Sequence, residues 1–184
     1  MPTARDALLD AAFAALGNRP WTAIRMVEVA AAAGVSRQTL YNEFHSKDGL
    51  AAALIRRESE AYLVGVDQVL AAAARDGGDA GECFAAAAGW TLRNARRSPL
   101  IRSALTGGRA QRPPLPDLAG ALRTRVTDVL VREFPRLRPD DVAWACEAAL
   151  RLTVSYVITP APTDEDACLR VAQLVRSLLS WPAN

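Results

Sequence analysis

Between residues 4 and 16 apolar side chains return every third or fourth position, at Leu9, Ala12, Phe13 and Leu16. That spacing lines one face of a helix. Thr3 precedes the run with Asp6 three residues on, a variant of the capping box, and Gly17 ends it. The same period predicts helices over about 25–33, from just after Ser36, from Ser46 to about 74, and near 80–97, 99–106, 117–134, 139–158 and 164–181. Between them the chain is punctuated by GNRP (17–20), DGGDAG (76–81), TGGRAQRPPLP (106–116) and FPRLRP (134–139). Ser98-Pro99 sets a cap before a proline at the first helical position. Thr163 followed by Asp164, Glu165 and Asp166 brings acids to a positive helix end. No stretch alternates as a strand would. The pattern is therefore all-α, about nine helices. A three-helix module (residues 1–45) is joined by a long helix to a larger helical body (residues 46–184).

The pattern is most specific in residues 25–44, RMVEVAAAAGVSRQTLYNEF. Ala30 is small enough to let a second helix approach. Gly34 follows a helix end and tolerates positive φ. Ser36 caps the next helix, and Val35 with Leu40 at its fourth position forms a hydrophobic staple. Helix, tight turn, helix is the helix-turn-helix arrangement, and an ordinary helical hairpin has the same spacing. The outer face separates the two. Leu40 and Phe44 share one side of the second helix, which leaves Arg37, Gln38, Tyr41 and Asn42 on the other. The first turn of a recognition helix meets base edges; Arg pairs with guanine, Gln with adenine, and Tyr and Asn reach phosphates or bases.

Composition narrows the class without naming it. The chain of 184 residues is 51% hydrophobic, with a large alanine share that favours helix. It is long enough to bury a core unaided. No run of about 18 apolar residues is present, so no membrane span is expected. The start, MPTARDALLD, lacks a signal pattern. Cys83, Cys146 and Cys168 are widely spaced, which suits a reducing cytoplasm and argues against a zinc site. Net charge is +2, too little to mark a nucleic-acid binder by itself. Lys47 is the only lysine among 22 basic residues. It falls in the first turn of the fourth helix, where a cation opposes the dipole; a nearby phosphate would reverse that sign.

The stretch VEVAAAAGVSRQTLYNEFHSKDGL, residues 27–50, resembles the DNA-binding signature of the tetracycline-repressor (TetR) family. It has an apolar-Ala pair, AGVS, TLY, an aromatic, then SK, an acid and a leucine. The likeness covers about residues 4–57; the remainder is similar in helix count and length. The resemblance implies a homodimer that binds a palindromic double-stranded DNA operator, usually as a repressor, and is released by a small molecule held in the C-terminal body. It implies phosphate contacts for Tyr41 and Lys47, a phosphate or base contact for Thr39, and variable base readers at Arg37, Gln38 and Asn42. Ser36 caps the reading helix. His45, in the following turn, either touches a phosphate or has no role. Two positions depart from the family pattern. Ile24-Arg25 stands where a helix-capping, phosphate-binding Thr or Ser is usual, so either Arg25 takes the phosphate or Thr22 takes the cap. Gln38 replaces a frequent glycine and is placed to read a base that other members do not.

In the body, Val142, Cys146, Ala149 and Leu150 on one helix and Val171, Leu174, Val175 and Leu178 on the last form apolar stripes. The resemblance implies a four-helix dimer interface there; burial in the same subunit is the alternative. Candidates to line the site of an apolar or amphipathic effector are Tyr62, Val66, Phe84, Trp90, Leu105, Leu122, Trp144 and Tyr156, residue types that are more often core than pocket. TGGRAQRPPLP borders a site mouth or is plain connector. An effector that moved the fourth helix would alter the spacing of two reading helices, which must sit about 34–36 Å apart.

Two other classes compete. An enzyme is disfavoured: there is one histidine, with no serine elbow, phosphate-cradling loop or metal-spaced cluster, and no cofactor or metal is expected. A purely protein-binding helical module explains the stripes but not RQTLYN beside SK.

Overall fold

The computed structural model describes residues 3–107 and 116–180. Nine α-helices lie among them: α1 (Ala4–Leu16), α2 (Met26–Ala32), α3 (Arg37–Phe44), α4 (Lys47–Arg75), α5 (Ala80–Arg97), α6 (Pro99–Leu105), α7 (Leu118–Glu133), α8 (Pro139–Ile158) and α9 (Asp164–Leu179). No strand occurs among the described residues. One element was not legible in the helical period: a 3₁₀ turn at Trp21–Ala23, after Pro20. It buries Ile24 and delays α2 to Met26.

The caps form where the sequence puts them. Thr3 and Asp6 make a reciprocal capping box, as do Asp79 and Glu82. Ser36, Ser98 and Thr163 each accept a backbone N–H three residues on. Such caps contribute about 1 kcal/mol each.

The chain divides into two compact units inside α4, between Ser59 and Glu60. In the first, α1 packs on α2 and α3, and α2 packs on α3. Leu8, Leu40 and Leu50 are completely buried there, each worth about 1.5–3 kcal/mol of burial. The unit also takes in the first turns of α4, where Leu54 and Ile55 are buried and Arg57 reaches Asp10 of α1 at 2.7 Å.

In the second unit α5 lies against α9 and α8, and α8 against α7 and α9. One core runs through it, from Tyr62, Val66 and Leu70 to Leu130, Val142 and Val175. Gly65 lets Trp90 of α5 lie against α4: a Cβ there would fall 2.0 Å from the indole ring, whose Nε1 donates to Tyr62 O at 3.0 Å. Arg96 pairs with Asp164, and Arg176 with Asp79 at 2.7 Å, tying both ends of α5 to α9. Of the segment 106–116, residues 108–115 lie outside the described residues, as does residue 181 at the expected end of the last helix.

Candidate nucleic-acid interface

Helix α3 is held from three sides. Leu40 and Phe44 bury its inner face. Gly34, at φ +67°, makes the turn before it. Ser36 Oγ accepts from Thr39 N at 3.0 Å and lies 2.9 Å from Thr39 Oγ1, closing the first turn. On the outer face the side chains are paired in parallel, one turn apart. Arg37 stacks over Tyr41, 5.4 Å from its ring centre, and Gln38 Nε2 donates to Asn42 Oδ1 at 2.9 Å. Arg37, Gln38 and Asn42 are exposed; Thr39 and Tyr41 are half-buried.

The helix ends abruptly. His45 takes φ +60°, ψ −36°, a conformation costing about 1–3 kcal/mol for a residue with a Cβ, while its N–H still bonds Tyr41 O at 2.9 Å. The chain then turns directly into α4, with Ser46 Oγ accepting from Gly49 N at 3.0 Å. Gly49 is required by close approach, since a Cβ there would stand 2.0 Å from Phe44 O. This corner places Lys47 beside α3, on the first residue of α4.

Lys47 does not stand alone against the helix dipole. Its Nζ donates to Thr22 O at 3.2 Å and sits 5.6 Å from the centre of the Trp21 ring. Carbonyl and ring face supply the negative potential that the helix end lacks. Arg25 is exposed at the N-cap of α2 and provides no side-chain cap. Thr22 does not take over that role; it belongs to the 3₁₀ turn.

Two residues of this region escaped the sequence pattern. Arg5 of α1 reaches the end of α3, its Nη1 3.4 Å from both Glu43 O and Glu43 Oε2. Trp21 carries the Lys47 ammonium. Both act through tertiary approach, and neither belongs to an apolar stripe. Proline followed by an aromatic was the one local hint of the 3₁₀ turn.

The candidates in the body separate by burial. Tyr62, Val66, Phe84, Leu105 and Leu122 are buried, and Trp90 and Tyr156 pack half-buried against the same core. Trp144 is 59% exposed on the outer face of α8, so it lines no interior site. Phe84 and Leu122 line an apolar pocket of about 20 Å³ between α5, α7 and α8, along with Ala87, Ala88, Val126, Cys146 and Ala149. Thr91 and Thr153 also face it, each turned back to the carbonyl four residues earlier. Thr91 Oγ1 lies 2.7 Å from the Tyr62 hydroxyl, and burial raises the Tyr62 pKa above its usual value.

The apolar stripes need correction. Val142, Cys146, Ala149, Val171 and Val175 are buried in their own subunit's core, Leu150 and Leu178 are half-buried against it, and Leu174 is half-buried. The exposed apolar side chains of these two helices are instead Trp144 and Ile158 of α8 and Leu169 of α9. Among the described residues no metal-binding cluster occurs, and no helix is long and apolar enough to cross a membrane.

Comparison with known proteins matches both units. Residues 8–54 fit the model of bacterial regulatory proteins of the tetR family, and residues 79–177 that of a bacterial tetracyclin repressor C-terminal domain. The chain is 34% identical to the HTH-type transcriptional regulator AlkX of Mycobacterium tuberculosis, over 93% of this chain and 82% of that one. Among solved structures it is similar to the TetR family repressor AlkX of a Dietzia species, which is implicated in biodegradation of n-alkanes. That chain is 28% identical with TM-score 0.57, covering 94% of this chain and 96% of the other. The multidrug binding protein EbrR shares the fold, with TM-score 0.69 at 21% identity over 100% of this chain and 99% of that one.

Proposed function

Because the chain belongs to the tetR family of bacterial regulatory proteins, and is thus a DNA-binding transcriptional regulator rather than an enzyme, we propose that it acts in the cytoplasm as a homodimeric repressor. It binds a palindromic operator and leaves it when a small apolar effector enters the second unit. The observation that carries this is the outer face of α3. Arg37, Gln38, Tyr41 and Asn42 are presented together by a helix whose other side is wholly buried. Bases are read by the first turn, and phosphates are held by Tyr41, Thr39, Lys47, Arg25 and His45 around it.

Two further observations support the finer parts. Trp144 and Ile158 of α8 and Leu169 of α9 are large apolar side chains more than half exposed, and these are the side chains offered to a second copy. The pocket at Phe84 and Leu122 is apolar and small, about 20 Å³. Ligand sites span about 300–1,000 Å³, so effector binding requires α5, α7 and α8 to part. With the Dietzia relative implicated in n-alkane biodegradation, a linear apolar chain is the effector class that such a lining favours.

The test is selection of tight binders from random duplex DNA across a range of salt, followed by titration of the operator complex with alkanes and fatty acids. An inverted repeat whose affinity falls steeply with salt is expected, as counterion release demands. No enrichment at low salt would sink α3 as a reader. An operator complex indifferent to every apolar chain would sink the effector class alone.

A further inference from the structure

Gln38 and Asn42 are not two independent polar residues. The hydrogen bond from Gln38 Nε2 to Asn42 Oδ1, 2.9 Å, joins them into one unit on the exposed face of α3. We propose that this unit reads an adenine in each half of the operator, Gln38 making the base contact and Asn42 fixing its orientation. The proposal rests on α3 being the DNA reader.

The chemistry follows from what the bond uses and what it leaves. A carboxamide has one oxygen acceptor and two N–H protons. Adenine shows the major groove one acceptor, N7, and one donor, N6–H. Pairing with it takes the Gln38 oxygen and only one of its two N–H protons. The other is the one committed to Asn42. Because the nitrogen gives to Asn42, the Gln38 oxygen is turned away from that neighbour and left free to accept. Guanine presents two acceptors, N7 and O6, at the same place. Against it the Gln38 oxygen would meet an oxygen, and both would be left unpaired on desolvation.

Asn42 also reduces the ordering needed on docking. An unrestrained glutamine surrenders much of its rotamer freedom when it binds; one already bonded to the next turn surrenders less. Gln38 is the second residue of α3, within the turn that meets base edges. Its neighbours are arranged the same way, Arg37 resting on the ring of Tyr41, so the face meets DNA already ordered.

The experiment is parallel selection from a random duplex pool with the full chain and with Gln38→Ala, Asn42→Ala and Asn42→Asp, each checked by thermal melting. All three substitutions sit on exposed positions, and the variants are expected to melt like the parent chain. The parent chain should enrich an inverted repeat with adenine at one position per half, preferred over guanine by about 5- to 150-fold. Gln38→Ala should bring that preference to about one at that position only. Asn42→Ala should weaken it in part. Asn42→Asp keeps an acceptor for Gln38 Nε2, so the adenine preference should return even as the added charge weakens binding to every duplex. Adenine preference that survives Gln38→Ala would overturn the proposal. An unchanged preference in Asn42→Ala would overturn the coupling. A parent chain that enriches nothing would instead overturn the reading of α3 on which both depend.

Discussion

Arg5 of α1 lies over the ring of Phe44 at the end of α3, with 4.6 Å between its guanidinium carbon and the ring centre. The same side chain is paired with Glu43 at 3.4 Å, but both partners are 37% exposed, so solvent and salt screen that charge pair. The ring contact is the firmer of the two. Arg5→Ala should cost about 0.5–1 kcal/mol of stability in the first unit. On the proposed reading, Arg5 acts by steadying α3 through Phe44 and Glu43, so duplex binding should weaken while the salt slope stays unchanged. Arg5→Lys should rescue it only in part, since an ammonium keeps the charge over the ring but lacks the planar face that stacks. Melting and salt-dependent binding together check this.

Gly49 has no room for a side chain. Its Cβ would meet a backbone oxygen, that of Phe44, at 2.0 Å. Gly49→Ala should therefore destabilise the first unit by about 1–3 kcal/mol or more, the cost of overpacking where nothing flexible can yield. Hydrogen exchange should report lost protection in α1–α3 with that of α5–α9 retained.

Trp144 and Val175 should respond in opposite ways. Trp144→Asp or Ile158→Asp places a charge on exposed surface, and light scattering should report monomers with unchanged helicity. Val175→Asp buries an unpaired charge at a position with no exposure at all, and should unfold the second unit. A Trp144→Asp chain that stayed dimeric would remove this face from the interface.

Acid should loosen the α5–α9 contact. The Arg176 hydrogen bond holds the Asp79 carboxyl below its usual value of 3.8, as Arg96 does for Asp164. A carboxylate with a lowered folded pKa contributes stability above its unfolded pKa and loses it as pH falls through the folded one. Stability should thus decline from about pH 5 downward. Asp79→Asn keeps the cap on Glu82 N and removes the charge, so denaturant titrations should show a shallower acid decline.

Burial raises the Cys146 thiol to about 11, so almost none is thiolate near neutral pH. Alkylation in the native state should leave Cys146 unmodified, whereas denaturation exposes it. Since Cys146 lines this small pocket, an apolar effector that parts α7 from α8 should speed its labelling, unless the effector itself covers the sulfur. Peptide mass mapping with and without effector distinguishes these results.

Much of the fold was legible because it is written locally. Thr3, Ser36, Ser98 and Thr163 announce helix starts, and Gly17 and Gly34 announce ends, within a few residues of where they act. The outer face of α3 was legible for the same reason: Leu40 and Phe44 define the inside of α3 and so its outside. The side of α8 that faces its own core was not. Its alanines and apolar residues occur around the whole circumference, and periodicity cannot choose between Cys146 and Trp144 as the inward side. Nor could spacing disclose Arg5 on Phe44 or Lys47 on Trp21, which join residues 39 and 26 positions apart and exist only once α1 and the 3₁₀ turn are in place.

That last pairing has a chemical corollary. Apart from His45, arginine supplies every other basic side chain, so the chain carries a single ε-amine, and it is bonded to Thr22 O of the 3₁₀ turn. Reagents that acylate or reductively methylate amines have one side-chain address on this protein. Acylation there would erase the cation and leave one neutral N–H toward Thr22 O; methylation would keep the charge on the Trp21 ring. The two modifications, applied to the same atom, separate the contribution of the charge from that of the side chain's reach.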